Sequence, residues 1–228
     1  MRALVLNTGN LEDTVCLAVA VKEYGAENVK TFTTDISYRN PRLISAAKKI
    51  SDFYKVENIL CDLRDVFKNS RSTCLSFSNE KVPSESMCSL AKKSGGAPLS
   101  SCTPFYRGTQ ISVMTTVAMS IGFDLLYFSA YKDKCINNSY PDGSPIFLNA
   151  MRDAVESGSS NQVRLEMPFM DTRRKDLIKL GMDLGVPIEL TECCLDNRPK
   201  SCGKCHACLD RKSDFAELNI PDPTDYEE

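Results

Sequence analysis

The sequence predicts an α/β protein, a doubly wound parallel sheet followed by a small cysteine knuckle at the C-terminal end. Three features carry that expectation. Short apolar runs alternate with helix-period segments through the first half of the chain. No self-similarity appears at the period of about 20–50 residues that marks repeat architectures. Four of the eleven cysteines crowd into the stretch 194–208.

The elements follow in order. Residues 3–6, Ala-Leu-Val-Leu, read as a buried strand and 14–24 as a helix. Residues 29–33 form the next strand, 41–54 the next helix with Pro41 near its first turn, and 58–62 a third strand. This alternation implies parallel strands joined by right-handed crossovers. Residues 67–104 are rich in Ser, Lys, Gly and Pro, and so long an irregular stretch reads as an active-site flap or a partly disordered segment. Its Ser94-Gly-Gly96 follows no strand and reads as loop rather than a phosphate cradle. Order resumes with a helix over 108–121, a buried strand over 125–129, a helix over 146–156 and a short strand at 163–165. A helix over 172–184 is expected to be capped by Thr172 and closed by Gly185. The tail, 221–228, reads as frayed. Two regions result: an α/β domain over 1–190 and a knuckle with its tail over 191–228.

Composition limits the function. Hydrophobic residues are 42% and charged residues 25% of the 228, as in an ordinary packed globule. With 28 basic and 30 acidic side chains the formal charge is -2, which gives no global support to binding a phosphate backbone; direct nucleic-acid binding is not expected. No apolar stretch approaches membrane-spanning length, and the N-terminal run lacks the long apolar region of a signal peptide. A reducing cytoplasm is the expected setting, with metal-bound and free thiols rather than disulfides.

Cys202-Gly-Lys-Cys205-His-Ala-Cys208 sets three thiols three residues apart, with Gly203 for the tight turn. Cys193 or Cys194 lies eight or nine residues upstream and can complete a tetrahedral zinc site. Seven other cysteines are scattered, several in apolar runs. Burial does not explain the four here, because the segment is polar and turn-rich. Four sulfur ligands leave no open position, so such a zinc ion is structural; an iron–sulfur cluster can use the same ligands. The only histidine, His206, sits inside this knuckle. A Ser/His/Asp or Cys/His pair is therefore excluded unless His206 itself reaches a cleft.

The first strand runs through Thr8, Gly9, Asn10, Leu11, Glu12, Asp13 and Thr14 into a helix. A strand–turn–helix with small polar residues presents backbone N–H groups at a helix N-terminus, where anions are stabilised. An ordinary turn before a capped helix has the same composition, since Thr8, Asp13 and Thr14 all suit a cap.

Read together, five segments resemble the 7-cyano-7-deazaguanine synthase family of PP-loop ATP pyrophosphatases. Thr8-Gly-Asn-Leu-Glu-Asp-Thr-Val-Cys-Leu17 stands where that family has Ser-Gly-Gly-x-Asp-Ser-Thr-x-Cys-Leu. Leu99 to Gly108 falls where it has a leucine-led segment ending in Gly-Arg-Asn, and Asn138-Ser-Tyr-Pro-Asp-Gly143 resembles its Ser-x-Tyr-Pro-Asp-Cys. Met167-Pro-Phe-Met170 with Arg174, Asp176, Lys179 and Leu180 resembles its Thr-Pro-Leu-x, Lys-x-Glu, Lys-Leu element. Cys194, Cys202, Cys205 and Cys208, with Arg211, match its zinc ligands and the basic residue after them.

The resemblance implies a Rossmann-like fold of the adenine-nucleotide hydrolase kind and an ATP-dependent ligase. Its substrates would be ATP, ammonia and 7-carboxy-7-deazaguanine, with Mg2+ and a structural Zn2+, in a protein whose relatives are typically homodimers. It places ATP phosphates at Thr8–Thr14 with Arg174 or Lys175 as their cation. It places the base near Tyr140 and Asp142, with Arg107 on the carboxylate. The loop departs from the family pattern: Asn10 replaces a glycine, Glu12 an aspartate, and Asp13 a serine. A carboxylate at 13 opposes pyrophosphate. Two other functions stay open, an altered paralogue that binds without ATP turnover and another PP-loop enzyme such as a tRNA thiolase.

Overall fold

The computed structural model describes residues 1–132 and 139–227. Its centre is a five-stranded parallel sheet built from β1 (Ala3–Leu6), β2 (Val29–Asp35), β3 (Glu57–Asp62), β4 (Leu125–Tyr127) and β5 (Arg164–Glu166), ordered β3-β2-β1-β4-β5. The expected doubly wound sheet is present. The chain leaves β1 in one direction to β2 and β3, then returns to the other side of β1 for β4 and β5. The gap beyond β1 and β4 is thus the topological switch point, where such sheets bind ligands.

The central strands are apolar because both faces are covered: Ala3, Leu4 and Val5 are fully buried. Helix α1 (Leu11–Tyr24) follows β1 and has nearly its whole first half in the core. It begins three residues before the sequence suggests. Its cap is Asn10, whose side chain accepts from Asp13 N, and not Thr8, Asp13 or Thr14. Asn10 is extended (φ -85), and Gly9 carries the positive φ of 83. A Cβ on Gly9 would stand 2.3 Å from Leu43 O, in the helix α2 (Arg42–Phe53). Only glycine lets the first loop sit this close to α2.

Among the described residues the remaining helices are short α3 (Arg64–Phe67), α4 (Met87–Lys93), α5 (Tyr106–Ile121), α6 (Pro145–Gly158), α7 (Arg174–Asp183) and α8 (His206–Glu217). Thr172 does not cap α7; the chain enters it through extended Arg173, with no side-chain cap, and Gly185 does close its end at φ 66. Gly181 lets α7 lie on α1, since a Cβ there would meet Val15 at 2.9 Å.

Residues 67–104 include α4 but are otherwise irregular, and they are anchored. Leu75 is fully buried, Arg39 N donates to Cys74 O and Thr73 N to Ser100 O. Cys88 is disulfide-bonded, where the sequence reading favoured free thiols. The tail is not frayed over 222–227. Arg211 is 1% exposed and needs a counter-ion, which Asp222 supplies at 3.0 Å, and Tyr226 OH donates to the other oxygen of Asp222 at 2.6 Å. Among the described residues no helix is long and apolar enough to cross a membrane.

Candidate active site and metal centre

A cavity of about 520 Å³ opens at the switch point. Its floor comes from the strand ends: Leu6 and Thr8 after β1, Ile36 and Tyr38 after β2, and Phe128, Ser129 and Ala130 after β4. Cys74, Met87, Cys88, Ser101 and Thr103 from the 67–104 segment also line it. Arg107, Tyr140 and Gly143 form one wall; His206, Asp210, Ser213, Asp214 and Glu217, recurring at helical spacing along α8, form another.

Four loop residues reach this cavity: Thr8, Asn10, Glu12 and Asp13. Gly9, Leu11 and Thr14 do not line it. Gly9 packs on α2 and its carbonyl accepts from Glu192 N at 2.8 Å, Leu11 belongs to the core, and Thr14 Oγ1 donates to Asn10 O at 2.6 Å. Asp13 is turned back into the loop. Its carboxylate accepts from Thr8 N at 2.9 Å, Thr8 Oγ1 at 2.6 Å, and the Ser129 hydroxyl. The donors that would meet a phosphate are held by a side chain of the same loop. Burial raises Asp13 from 3.8 to about 6, against the lowering effect of these hydrogen bonds.

Glu12 and Asp214 share Arg174, whose Nε donates to Glu12 and whose Nη1 donates to Asp214. Burial works against ionisation of Glu12, but the charge and hydrogen bond of Arg174 outweigh it and hold Glu12 below its usual range. Asp214 goes the other way, because burial prevails over the attraction of Arg174. Of the two candidate cations, Arg174 faces the cavity, while Lys175 lies outside its lining and pairs with Glu217 at 3.7 Å.

Arg107 is held at the start of α5 by Asp142, which accepts from its backbone N at 2.8 Å and from Nη1 at 3.3 Å. The guanidinium lies over the Tyr140 ring, 5.5 Å from its centroid, and Tyr140 OH pairs with Ser101 Oγ at 2.7 Å. Asp142 is 5% exposed and is not part of the cavity lining. In this structure its carboxylate is occupied by Arg107, whereas the sequence expectation is a direct contact with the base. Asn138, the first residue of that motif, lies outside the described residues.

The cysteines converge. The Sγ atoms of Cys194, Cys202, Cys205 and Cys208 all lie within 4.8 Å of one another, and all four residues are buried. Bonds of about 2.3 Å to one tetrahedral ion imply sulfur–sulfur edges of about 3.8 Å, whereas a four-iron cluster holds its thiolates farther apart. Backbone N–H groups point at these sulfurs: Cys202 N to Cys194 Sγ at 3.3 Å and Cys205 N to Cys202 Sγ at 3.2 Å. The donor set fits a single thiophilic ion such as zinc. Cys194, not Cys193, completes it, although Cys193 Sγ is 4.0 Å from Cys208 Sγ.

Sequence reasoning missed Glu192. Its Oε1 accepts from Cys193 N, Cys194 N and the Ser201 hydroxyl, and its Oε2 from Arg42 Nε at 2.7 Å. One side chain thus ties the knuckle to α2. Tyr106, Gln110 and Ser129 were also missed: Gln110 and Ser129 sit in helical or apolar stretches with no motif around them, and within the Leu99–Gly108 segment Arg107 rather than Tyr106 drew the reading.

A parallel α/β fold with a cavity at the β1/β4 edge, entered by a strand–loop–helix and walled by the helix that follows four converging cysteines, is of the PP-loop kind, with an appended cysteine cluster that could hold a metal ion. The chain belongs to the queuosine biosynthesis protein QueC family, which matches residues 2–219. It is similar to the 7-cyano-7-deazaguanine synthase of Methanothrix thermoacetophila, 29% identical over 99% of both chains. It is also similar to that of Caldicellulosiruptor saccharolyticus, 28% identical over 100% of this chain and 96% of the relative. Among solved structures, the U34-tRNA thiolase NcsA from Methanococcus maripaludis with its 4Fe-4S cluster matches with TM-score 0.51 and 14% identity. That match covers 96% of this chain and 65% of the thiolase, and is a likeness of fold.

Proposed function

We propose that the chain is an ATP-dependent carbon–nitrogen ligase that converts 7-carboxy-7-deazaguanine with ammonia into the 7-amide or the 7-nitrile. The observation that supports this most is the Arg107–Asp142–Tyr140 arrangement facing the first loop across one sheet-edge cavity, in a chain of this family from end to end.

A carboxylate is a poor electrophile and its oxygen a poor leaving group. Attack of the substrate carboxylate on the ATP α-phosphorus expels pyrophosphate and leaves an acyl adenylate. Ammonia then forms the C–N bond as AMP departs, and a proton is lost to give the amide. Attack of the amide oxygen on the α-phosphorus of a second ATP expels pyrophosphate, and departure of AMP with loss of both amide N–H protons gives the nitrile. None of these steps needs a histidine base. Arg107, clamped by Asp142, pairs with the substrate carboxylate through N–H groups that Asp142 does not use, and Tyr140 supplies a planar neighbour. Arg174 stays beside the phosphates but is already neutralised by Glu12 and Asp214. Mg2+ fits the hard oxygen donors Glu12, Asp13 and Asp214, and supplies charge neutralisation for the polyphosphate. Zn2+ at Cys194, Cys202, Cys205 and Cys208 fixes the start of α8.

One observation favours a second reading. With Asp13 occupying the loop donors, a paralogue that binds the base or a partner without ATP turnover has the same contacts. Magnesium-dependent AMP release in the presence of the deazaguanine acid separates the two. AMP formed in step with base consumption supports the ligase, and its absence supports the paralogue.

A further inference from the structure

His206 is the sole histidine of the chain and has no part in the metal site, where the converging atoms are the four thiols. It opens α8, with its backbone N donating to Pro83 O at 3.3 Å, so its root is fixed against the 67–104 segment. The side chain is 5% exposed and forms part of the cavity wall. Neither Nδ1 nor Nε2 has a hydrogen-bond partner. A buried polar ring left in that state carries a desolvation cost that a phenylalanine would avoid. Packing alone does not account for a histidine here.

The surroundings restrict what the ring can meet. Asp210 and Asp214 line the cavity one and two turns further along the same helix, and Glu12 and Asp13 face it from the first loop. Arg174, beside which the phosphates are proposed, is bonded to Asp214, whereas a phosphate one turn nearer His206 is repelled by the carboxylate of Asp210. An uncharged heterocycle edge with adjacent N–H donors and carbonyl or ring-nitrogen acceptors meets no such repulsion, and an imidazole offers a donor and an acceptor to such an edge.

We propose that His206 is a ligand-contacting residue: its imidazole hydrogen-bonds the polar edge of the planar nitrogen heterocycle bound in this cavity, turning the carboxylate of that base toward Arg107. The role of His206 rests on its position; the identity of the heterocycle as 7-deazaguanine rests on the function proposed above.

Because there is one histidine, untagged full-length zinc-loaded protein carrying 13C at the histidine Cε1 gives one imidazole signal. Titration with 7-carboxy-7-deazaguanine should move that signal and saturate with the Kd measured by calorimetry. His206→Phe should lose affinity by about tenfold or more, the worth of one buried hydrogen bond, with zinc content unchanged. His206→Asn should recover part of it, which a purely packing role would not produce. Should His206→Phe lose zinc, the wild-type signal and His206→Asn decide the matter. Calorimetric binding with an unmoved imidazole signal, or wild-type affinity in zinc-loaded His206→Phe, overturns the assignment to His206 alone. Wild-type protein that binds no deazaguanine acid overturns the functional reading, and this inference with it.

Discussion

Asp13 accepts two hydrogen bonds from Thr8, one from its backbone N at 2.9 Å and one from its hydroxyl at 2.6 Å, so the first loop is closed on its own carboxylate. Where the family pattern has serine, this chain has a tethered anion. Asp13→Ser should therefore free the Thr8 donors and strengthen ATP binding by about tenfold in calorimetry with magnesium. Unchanged or weaker binding would mean that the phosphates do not approach this loop.

The same contact has a pH signature. Asp13 ionises at about 6 in the fold against 3.8 ordinarily, so the folded chain holds this proton more tightly than the unfolded one. Its contribution to stability is full below the unfolded value and is lost as pH rises through the folded value. Asp13→Asn cannot ionise. Its Tm should exceed that of wild type more at about pH 8 than at about pH 5; an equal gap at both would contradict the buried-carboxylate account.

Arg174 compensates buried Glu12 and half-buried Asp214, so Arg174→Met should cost about 3–5 kcal/mol in urea unfolding, since it strands Glu12 in the interior. The double variant Glu12→Gln/Arg174→Met should recover much of the loss. Lys175→Ala, on an exposed pair, should stay within about 0.5 kcal/mol of wild type. Comparable costs for the two single variants would dismiss the triad as a structural unit.

In the proposed reaction Asp142 acts on the substrate through Arg107. Asp142→Asn keeps a carbonyl to accept from Arg107 N but loses the charge on the guanidinium, so affinity for the deazaguanine acid should fall by about tenfold. Affinity for the uncharged amide should change much less. Equal losses for acid and amide would indicate a direct contact with the base instead.

How much of this was legible differs by element. The buried strands announced themselves as apolar runs because a parallel sheet is covered on both faces, and their order left one plausible topology. The cysteine spacing announced the converging cluster because no packing demand produces it. Helix starts were less visible. Several residues near position 10 suit a cap, and only the approach of Gly9 to α2 selects Asn10. The tail looked free because its partner, buried Arg211, is in another element. The partner of Asp142 was hidden for the same reason: Arg107, which occupies its carboxylate, lies in another element. Glu192 carries no motif, and its four acceptor contacts exist only once the knuckle has folded back on α2.

The metal centre should hold about one zinc per chain in protein purified without added metal, and Cys202→Ser should lower stability by roughly 3 kcal/mol or more. Because α8 begins at the knuckle and walls the cavity, chelation should also weaken base binding. Iron in place of zinc, or binding indifferent to chelation, would contradict this coupling.

The most direct test of the central claim is mass analysis of the base after incubating the protein with 7-carboxy-7-deazaguanine, 15N-ammonium, ATP and magnesium. The account predicts 15N in the product, as the 7-amide or the 7-nitrile, with AMP released in proportion. Unaltered acid from zinc-loaded protein that binds both base and ATP would contradict it.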